Sequence, residues 1–248
     1  MTSNIRFENS ADDNNNWPER KYIWSKIVNK FDVDILCTQE GRKDQLLDAE
    51  SLLYLNIIKS HRKWIRERMY PSIFINLKKF SLIDSGDFWL SETPNIAGSK
   101  SFNSAFPRLC TWVKLKKNEN VFFIFNCHLD HVLAETRLAQ FEVISEQIFK
   151  INNENNPYVL VGDFNEAPDN SVRALINKNL KLQDPLINLN ICDEGTHHRF
   201  DGKNDTSSRI DWILTTHEIN CEKYQIIKDN ENGRYPSDHF PIFAKLSI

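Results

Sequence analysis

The stretch Tyr158-Val159-Leu160-Val161-Gly162-Asp163-Phe164-Asn165 constrains this chain more than any other. Its four leading apolar residues read as a buried strand. Gly162 lets the backbone turn tightly at the strand's end. Asp163 and Asn165 stand two residues apart, so on an extended chain their side chains point the same way. A carboxylate orients water and an amide donates to developing charge, a pairing that suits metal-assisted hydrolysis. The plain alternative is a strand followed by an Asp/Asn turn.

Other strand ends repeat the pattern. Val33–Thr38 delivers Gln39 and Glu40. The run ending in Asn126-Cys127-His128-Leu129-Asp130-His131 delivers His128. Arg209-Ile210-Asp211-Trp212-Ile213-Leu214 places Asp211 inside a strand, where a lone carboxylate is costly without a partner. Ser237-Asp238-His239 precedes the last strand, and Asn4 sits beside the first. Polar groups at successive strand ends predict one site at the edge of a sheet pair.

The elements between these ends define the fold class. Pro18 opens a helix running to about Lys30, with Ile23, Ile27 and Phe31 on one stripe. Gln45–Leu53 reads as helical, and Glu135–Ile151 as a second long helix. A short helix is predicted near Ser171–Asn177. Short strands are predicted at Ser72–Asn76, Ser81–Asp84 and Phe88–Leu90, and a hairpin from Thr111–Leu115 and Val121–Cys127. Asp184–Asp205 is loop-rich. Ile210–Leu214, Lys223–Lys228 and Phe240–Leu246 close the chain as strands. Many short strands with two long helices argue one α/β domain over residues 1–248, with largely non-parallel sheets.

Chemistry sorts the polar residues. Glu40, Asp238 and Asn4 offer hard oxygen ligands that suit Mg²⁺, with Mn²⁺ as a substitute. No Cys/His cluster has zinc spacing. His239 is a candidate general base or phosphate-stabilising cation, with Asp211 fixing its tautomer. A net charge of −3 tilts against a nucleic-acid partner. The five cysteines form no C-x-x-C pair and read as reduced thiols. No apolar stretch is long enough to span a membrane, and Met1-Thr2-Ser3-Asn4 lacks signal-peptide features. A cytoplasmic monomer is the expectation.

Six motifs occur in order: Asn4-Ile5-Arg6, Gln39-Glu40, Asn126–Asp130, Gly162–Asn165, Arg209–Leu214 and Ser237–His239. Together they resemble the endonuclease/exonuclease/phosphatase superfamily, which has the deoxyribonuclease-I-like fold. Trp17–Arg20, Asp84–Pro94, Pro107-Arg108 and Tyr235–Pro241 further resemble a bacterial-type branch of metal-dependent phosphohydrolases. The resemblance implies a four-layer α/β sandwich, with two face-to-face mixed, mostly antiparallel sheets flanked by helices. It implies Mg²⁺-dependent hydrolysis of a phosphoester. Glu40 would be the main metal ligand, with Asn4 and Asp238 nearby. Asp163 would orient water, Asn165 would hold a phosphoryl oxygen, and His128 would contact the phosphate. Asp211 would support His239 at the transition state. Two departures stand out. Only Met1-Thr2-Ser3 precede Asn4, where the family has a longer apolar strand. Glu67 and Arg68 straddle the place where family members often carry a glutamate partner for the histidine at position 128.

Arg108 is a candidate phosphate binder, and His131 and His198 are candidates to line the substrate pocket. Trp17, in a polar stretch, is a candidate stacking residue; Trp89 and Trp212 read as core. The expected activity is a phosphodiesterase or phosphatase acting on a small or lipid-linked phosphoester. The alternatives are a nuclease of the same superfamily and a binding module that kept the fold without the activity.

Overall fold

The computed structural model describes residues 1–203 and 208–248. In chain order the first elements are β1 (Thr2–Asn4), α1 (Trp17–Lys30), β2 (Ile35–Gly41), α2 (Lys43–Ser51), β3 (Asn56–Ile57) and β4 (Tyr70–Ile75). Then come β5 (Ser81–Trp89), β6 (Leu109–Lys117), β7 (Asn120–His128), α3 (Ala134–Ile151) and β8 (Tyr158–Asp163). The chain closes with α4 (Ser171–Asn179), α5 (Pro185–Asn188), β9 (Asp211–Thr215), β10 (Asn220–Ile226) and β11 (Ile242–Ser247).

The strands form a six-stranded sheet, ordered β10-β11-β1-β2-β4-β3, and a five-stranded sheet, ordered β5-β6-β7-β8-β9. The β1–β2 and β7–β8 pairs are parallel and the others antiparallel, so both sheets are mixed. Side-chain alternation builds the layers. From β7, Phe122 and Ile124 enter the core between the sheets, while Phe123, Phe125 and Cys127 face outward onto α3 residues such as Phe141 and Ile144. From β4, Ile73 and Ile75 face the other sheet, while Phe74 packs with Trp24 and Val28 of α1. Both faces of the central strands are buried, which explains their continuous apolar runs. The four layers are therefore helix, sheet, sheet, helix, as expected.

Three expectations change. Ser81–Asp84 and Phe88–Leu90 belong to one strand, β5, with a register shift between Leu82 and Asp84. The polar Ser85-Gly86-Asp87 segment that masked it is tied down from outside the strand: Asp87 receives the Arg62 guanidinium at 2.8 and 2.9 Å. Trp17 is no ligand platform. It starts α1, is 2% exposed, packs edge-on to Trp24 and donates its indole N–H to Asp48. The loop-rich Asp184–Asp205 segment contains α5, capped by Asp184; residues 204 and 205 of that expectation lie outside the described residues. All five cysteines are free thiols, and burial pushes Cys37 up to about 12.

Register fixes the site. In the five-stranded sheet Asp163 is paired with His128 of β7 on one side and with Asp211 of β9 on the other. Gly162 makes the close approach possible: its φ is +143°, and a Cβ there would lie 2.0 Å from the Cys127 carbonyl oxygen. The glycine is needed within the strand rather than in a turn after it.

Candidate active site

The strand edges bring Asn4, Glu40, His128, Asp163, Asp211 and His239 together. Asp163 is the hub and is 1% exposed. Its Oδ2 accepts from Asn4 Nδ2 at 2.9 Å, with His128 Nε2 at 3.4 Å and His239 Nε2 at 4.0 Å. Burial and the neighbouring Asp211 carboxylate push Asp163 above its ordinary value.

Asn165 does not continue the strand. It adopts a left-handed backbone, φ 51°, just beyond β8. Its backbone N–H donates to Asp163 Oδ1 at 2.9 Å and its Nδ2 donates to the Leu129 carbonyl at 3.0 Å. The alternation argument for Asn165 therefore fails, although the residue still adjoins Asp163.

Each histidine's protonation follows from its neighbours. An arginine always donates, so Arg108 Nη1, 3.1 Å from His128 Nδ1, makes that nitrogen an acceptor. The His128 proton is then on Nε2, facing Asp163. Burial and the Arg108 charge hold His128 well below its ordinary pKa, so it is neutral. His239 is the opposite case. Burial alone lowers it, but Asp211, with Oδ2 2.8 Å from Nδ1, overrides this and holds the ring well above its ordinary value. Asp211 Oδ1 is buried without a hydrogen-bond partner among the described residues, a cost that polar groups at working sites characteristically carry.

Glu40 is held out by a defect in pairing. The β2–β4 register shifts between Thr38 and Gly41, and Glu40 has φ 68°. A bulge re-aims a side chain, and a non-glycine residue at positive φ stores strain of a kind concentrated at functional sites. Its carboxylate accepts two 3.2 Å contacts, from Asn4 Nδ2 and Phe7 N. The acidic and imidazole groups gather as Glu40 with His128 and Asp163, as Asp238 with His197 and His239, and as Asp163 with Asp211 and His239. Glu40 and Asp238 thus belong to neighbouring groups rather than one. Asn4 spans them: its side chain donates to Glu40 and Asp163, and its carbonyl accepts from Ser237 Oγ at 2.6 Å. Its amide oxygen accepts from Arg6 N at 3.0 Å. Carboxylates with few and long internal contacts fit a hard divalent cation.

Arg108 is 5% exposed and makes no ion pair with a described carboxylate; its guanidinium reaches His128 and, at 3.3 Å, His131. His131 is exposed and stacks on Phe106. His198 is buried against Phe240 and lines a cavity beside Asn165. Glu67 is exposed beside Arg66 and is not the partner of His128; Arg108 and Asp163 fill that place. His197 is a residue that reading the sequence missed. Its ring lies 4.8 Å from that of His239 and its Nε2 4.0 Å from Asp238 Oδ2. The His197-His198 pair was the available signal, but a backbone bridge between His197 and His239 decides which member faces the centre.

The profile of the Endonuclease/Exonuclease/phosphatase family matches residues 1–239. Among solved structures, the mannosyl-6-phosphatase of Bacteroides thetaiotaomicron superposes with a TM-score of 0.90 at 28% identity, covering 100% of this chain and 98% of that one. A functionally unknown conserved protein of Enterococcus faecalis superposes with a TM-score of 0.90 at 30% identity, covering 99% and 98%. Among curated relatives, Protein angel of Drosophila melanogaster is 25% identical over 209 residues, 80% of this chain. The RNA exonuclease NGL1 of Saccharomyces cerevisiae is 22% identical over 208 residues, 63% of this chain. The matches span 57% of the length of each of these two relatives.

Proposed function

The chain belongs to the endonuclease/exonuclease/phosphatase family of phosphoester hydrolases, and from that premise we propose that it is a divalent-metal-dependent phosphatase or phosphodiesterase acting on a small or lipid-linked phosphoester. The observation that carries this reading is Arg108. A buried cation without a carboxylate partner is costly, and a phosphoryl group is an anion that a planar guanidinium grips with two parallel bonds.

Glu40, with Asn4 beside it, would hold Mg²⁺ or Mn²⁺, and Asp238, in the neighbouring group, would add its negative charge nearby. Such an ion supplies Lewis-acid charge beside the phosphoryl oxygens. The protein groups divide the remaining work. Arg108 and the His128 Nε2–H hold phosphoryl oxygens. Asn165 Nδ2 spends one hydrogen on Leu129 and keeps the other for the phosphoryl group. Asp163, its carboxyl raised by burial and by the neighbouring Asp211, receives the proton of the attacking water, as suits a general base. The cationic His239 faces the same oxygen and offsets charge that builds up in the transition state, while Asp211 fixes its ring.

A nuclease is the second reading. It rests on Phe106, which is 44% exposed and stacked on His131 beside Arg108, a geometry that receives a base. The test is a panel of phosphomonoesters, phosphodiesters, nucleic acids and phospholipids with Mg²⁺, Mn²⁺ or EDTA. Metal-dependent turnover of small or lipid phosphoesters is expected. Full activity in EDTA, or activity confined to nucleic acid, overturns the first reading.

A further inference from the structure

Asn126 opens one of the six sequence motifs and has no part in the chemistry above. On β7 it continues the row of Phe122 and Ile124 that faces the other sheet. A buried amide in an apolar row is costly unless it is bonded, and this one has partners for its hydrogens and its oxygen. Its Nδ2 donates to the carbonyls of Thr38 and Ser72, each at 3.0 Å, and its Oδ1 accepts from Gln39 Nε2 at 2.7 Å. All four residues are 0% exposed.

These partners converge on one place. Thr38 and Ser72 are the last pair of β2 and β4 before the register shift, and Gln39 stands between Thr38 and Glu40. A non-glycine residue at positive φ persists only where its surroundings over-determine it. Glu40, at φ 68°, is such a residue, and the contacts its carboxylate accepts from Asn4 and Phe7 are both 3.2 Å long. The shorter hold is on its predecessor. The Gln39 amide is fixed between the two sheets, donating to Thr2 Oγ1 of β1 at 3.0 Å as well as to Asn126 of β7.

One side chain therefore grips both strands of the bulge from the facing sheet, two residues before His128 on the same strand. Resting on the cation site proposed above, we propose that Asn126 is a positioning residue for Glu40. It clamps the β2 bulge so that the carboxylate stays aimed at the cation site, at a fixed spacing from His128 and Asp163, with which it is grouped.

The experiment makes Asn126→Leu, which keeps much of the size and removes all three bonds, and reads Mg²⁺ and Mn²⁺ affinity by calorimetry without substrate. The affinity is expected to fall about tenfold or more, the scale set by groups that orient metal ligands. In a Glu40→Gln background the same change should cost little further affinity, because the clamp acts through Glu40. A lowered melting temperature with wild-type cation affinity would mark a brace for the fold alone and overturns the proposal, as do multiplicative losses in the double variant. Gln39→Met leaves Asn126 on its two carbonyls and serves if Asn126→Leu does not fold. A severalfold loss of affinity is expected there, and wild-type affinity overturns the proposal. If the wild type binds neither cation, the metal-dependent reading fails on its own. Crystal structures of the wild type and a folded variant then decide. Glu40 leaving its contact with Asn4 in the variant supports the clamp, and an unchanged bulge overturns it.

Discussion

His239 Nδ1 and Asp211 Oδ2 lie 2.8 Å apart, both buried, although 28 residues separate them in the chain. The contact holds the imidazole in one orientation and keeps it charged. The two residues are therefore expected to act as one unit. Removing either is expected to lose about 10²-fold or more in rate, the scale of positioned acid–base groups. The double variant should lose little more than the worse single one. Multiplicative losses in kcat/KM would show two independent residues.

Asp163→Asn keeps size and shape but removes the charge proposed to take the proton from water. A large fall in kcat with KM nearly kept is expected, because the transition state loses more than the ground state. Near-normal turnover with an unchanged melting temperature would return Asp163 to a structural role.

Glu40→Gln removes one anionic oxygen donor from the proposed cation site. The protein should fold, because the Glu40 side chain sits at the strand edge rather than in a core cluster. Divalent-cation affinity, read by calorimetry without substrate, should fall by at least about tenfold. Unchanged affinity would remove Glu40 from the ligand set.

Asp87 gives a pH prediction away from the site. Burial opposes its charge, but the Arg62 guanidinium overrides this and holds the carboxyl far below its ordinary range; His61 Nε2 adds a contact at 3.2 Å. A depressed folded pKa contributes stability above the unfolded pKa of about 4 and loses it as pH falls through the folded value. Asp87→Asn, which leaves Arg62 buried without its anion, should destabilise by about 3–5 kcal/mol at neutral pH. The gap should narrow as the medium is acidified below pH ~4. Urea unfolding across pH measures it, and a gap independent of pH would exclude the linkage.

What was legible in the sequence follows local physics. The apolar run before Asp163 is a strand because both of its faces are buried, and that pattern is written in adjacent residues. Asp211 inside an apolar run asked for a partner, and Ser237-Asp238-His239 supplied it. What stayed hidden depends on distant strands. The bulge that aims Glu40 exists only in its pairing with β4. The polar middle of β5 looks like a turn until Arg62 arrives from a loop. Trp17 sits among asparagines in sequence yet packs on Trp24 and Asp48 in space. The left-handed backbone of Asn165 breaks the alternation that placed it beside Asp163.

The cross-strand row of His128, Asp163 and Asp211 has a consequence for how the enzyme loses activity. Its hub lies on β8, which is hydrogen-bonded to a neighbour on each side and closed on β7 by Gly162. Local opening takes the least protected segments first, and interior strands exchange their amide hydrogens only when the whole unit opens. His128 and Asp163 therefore have no partially melted state of their own, whereas Asp211 lies on β9 at the edge of the sheet. Amide exchange along β7 and β8 is expected to run at the rate of global opening, and exchange along the edge strand β9, which carries Asp211, to run faster.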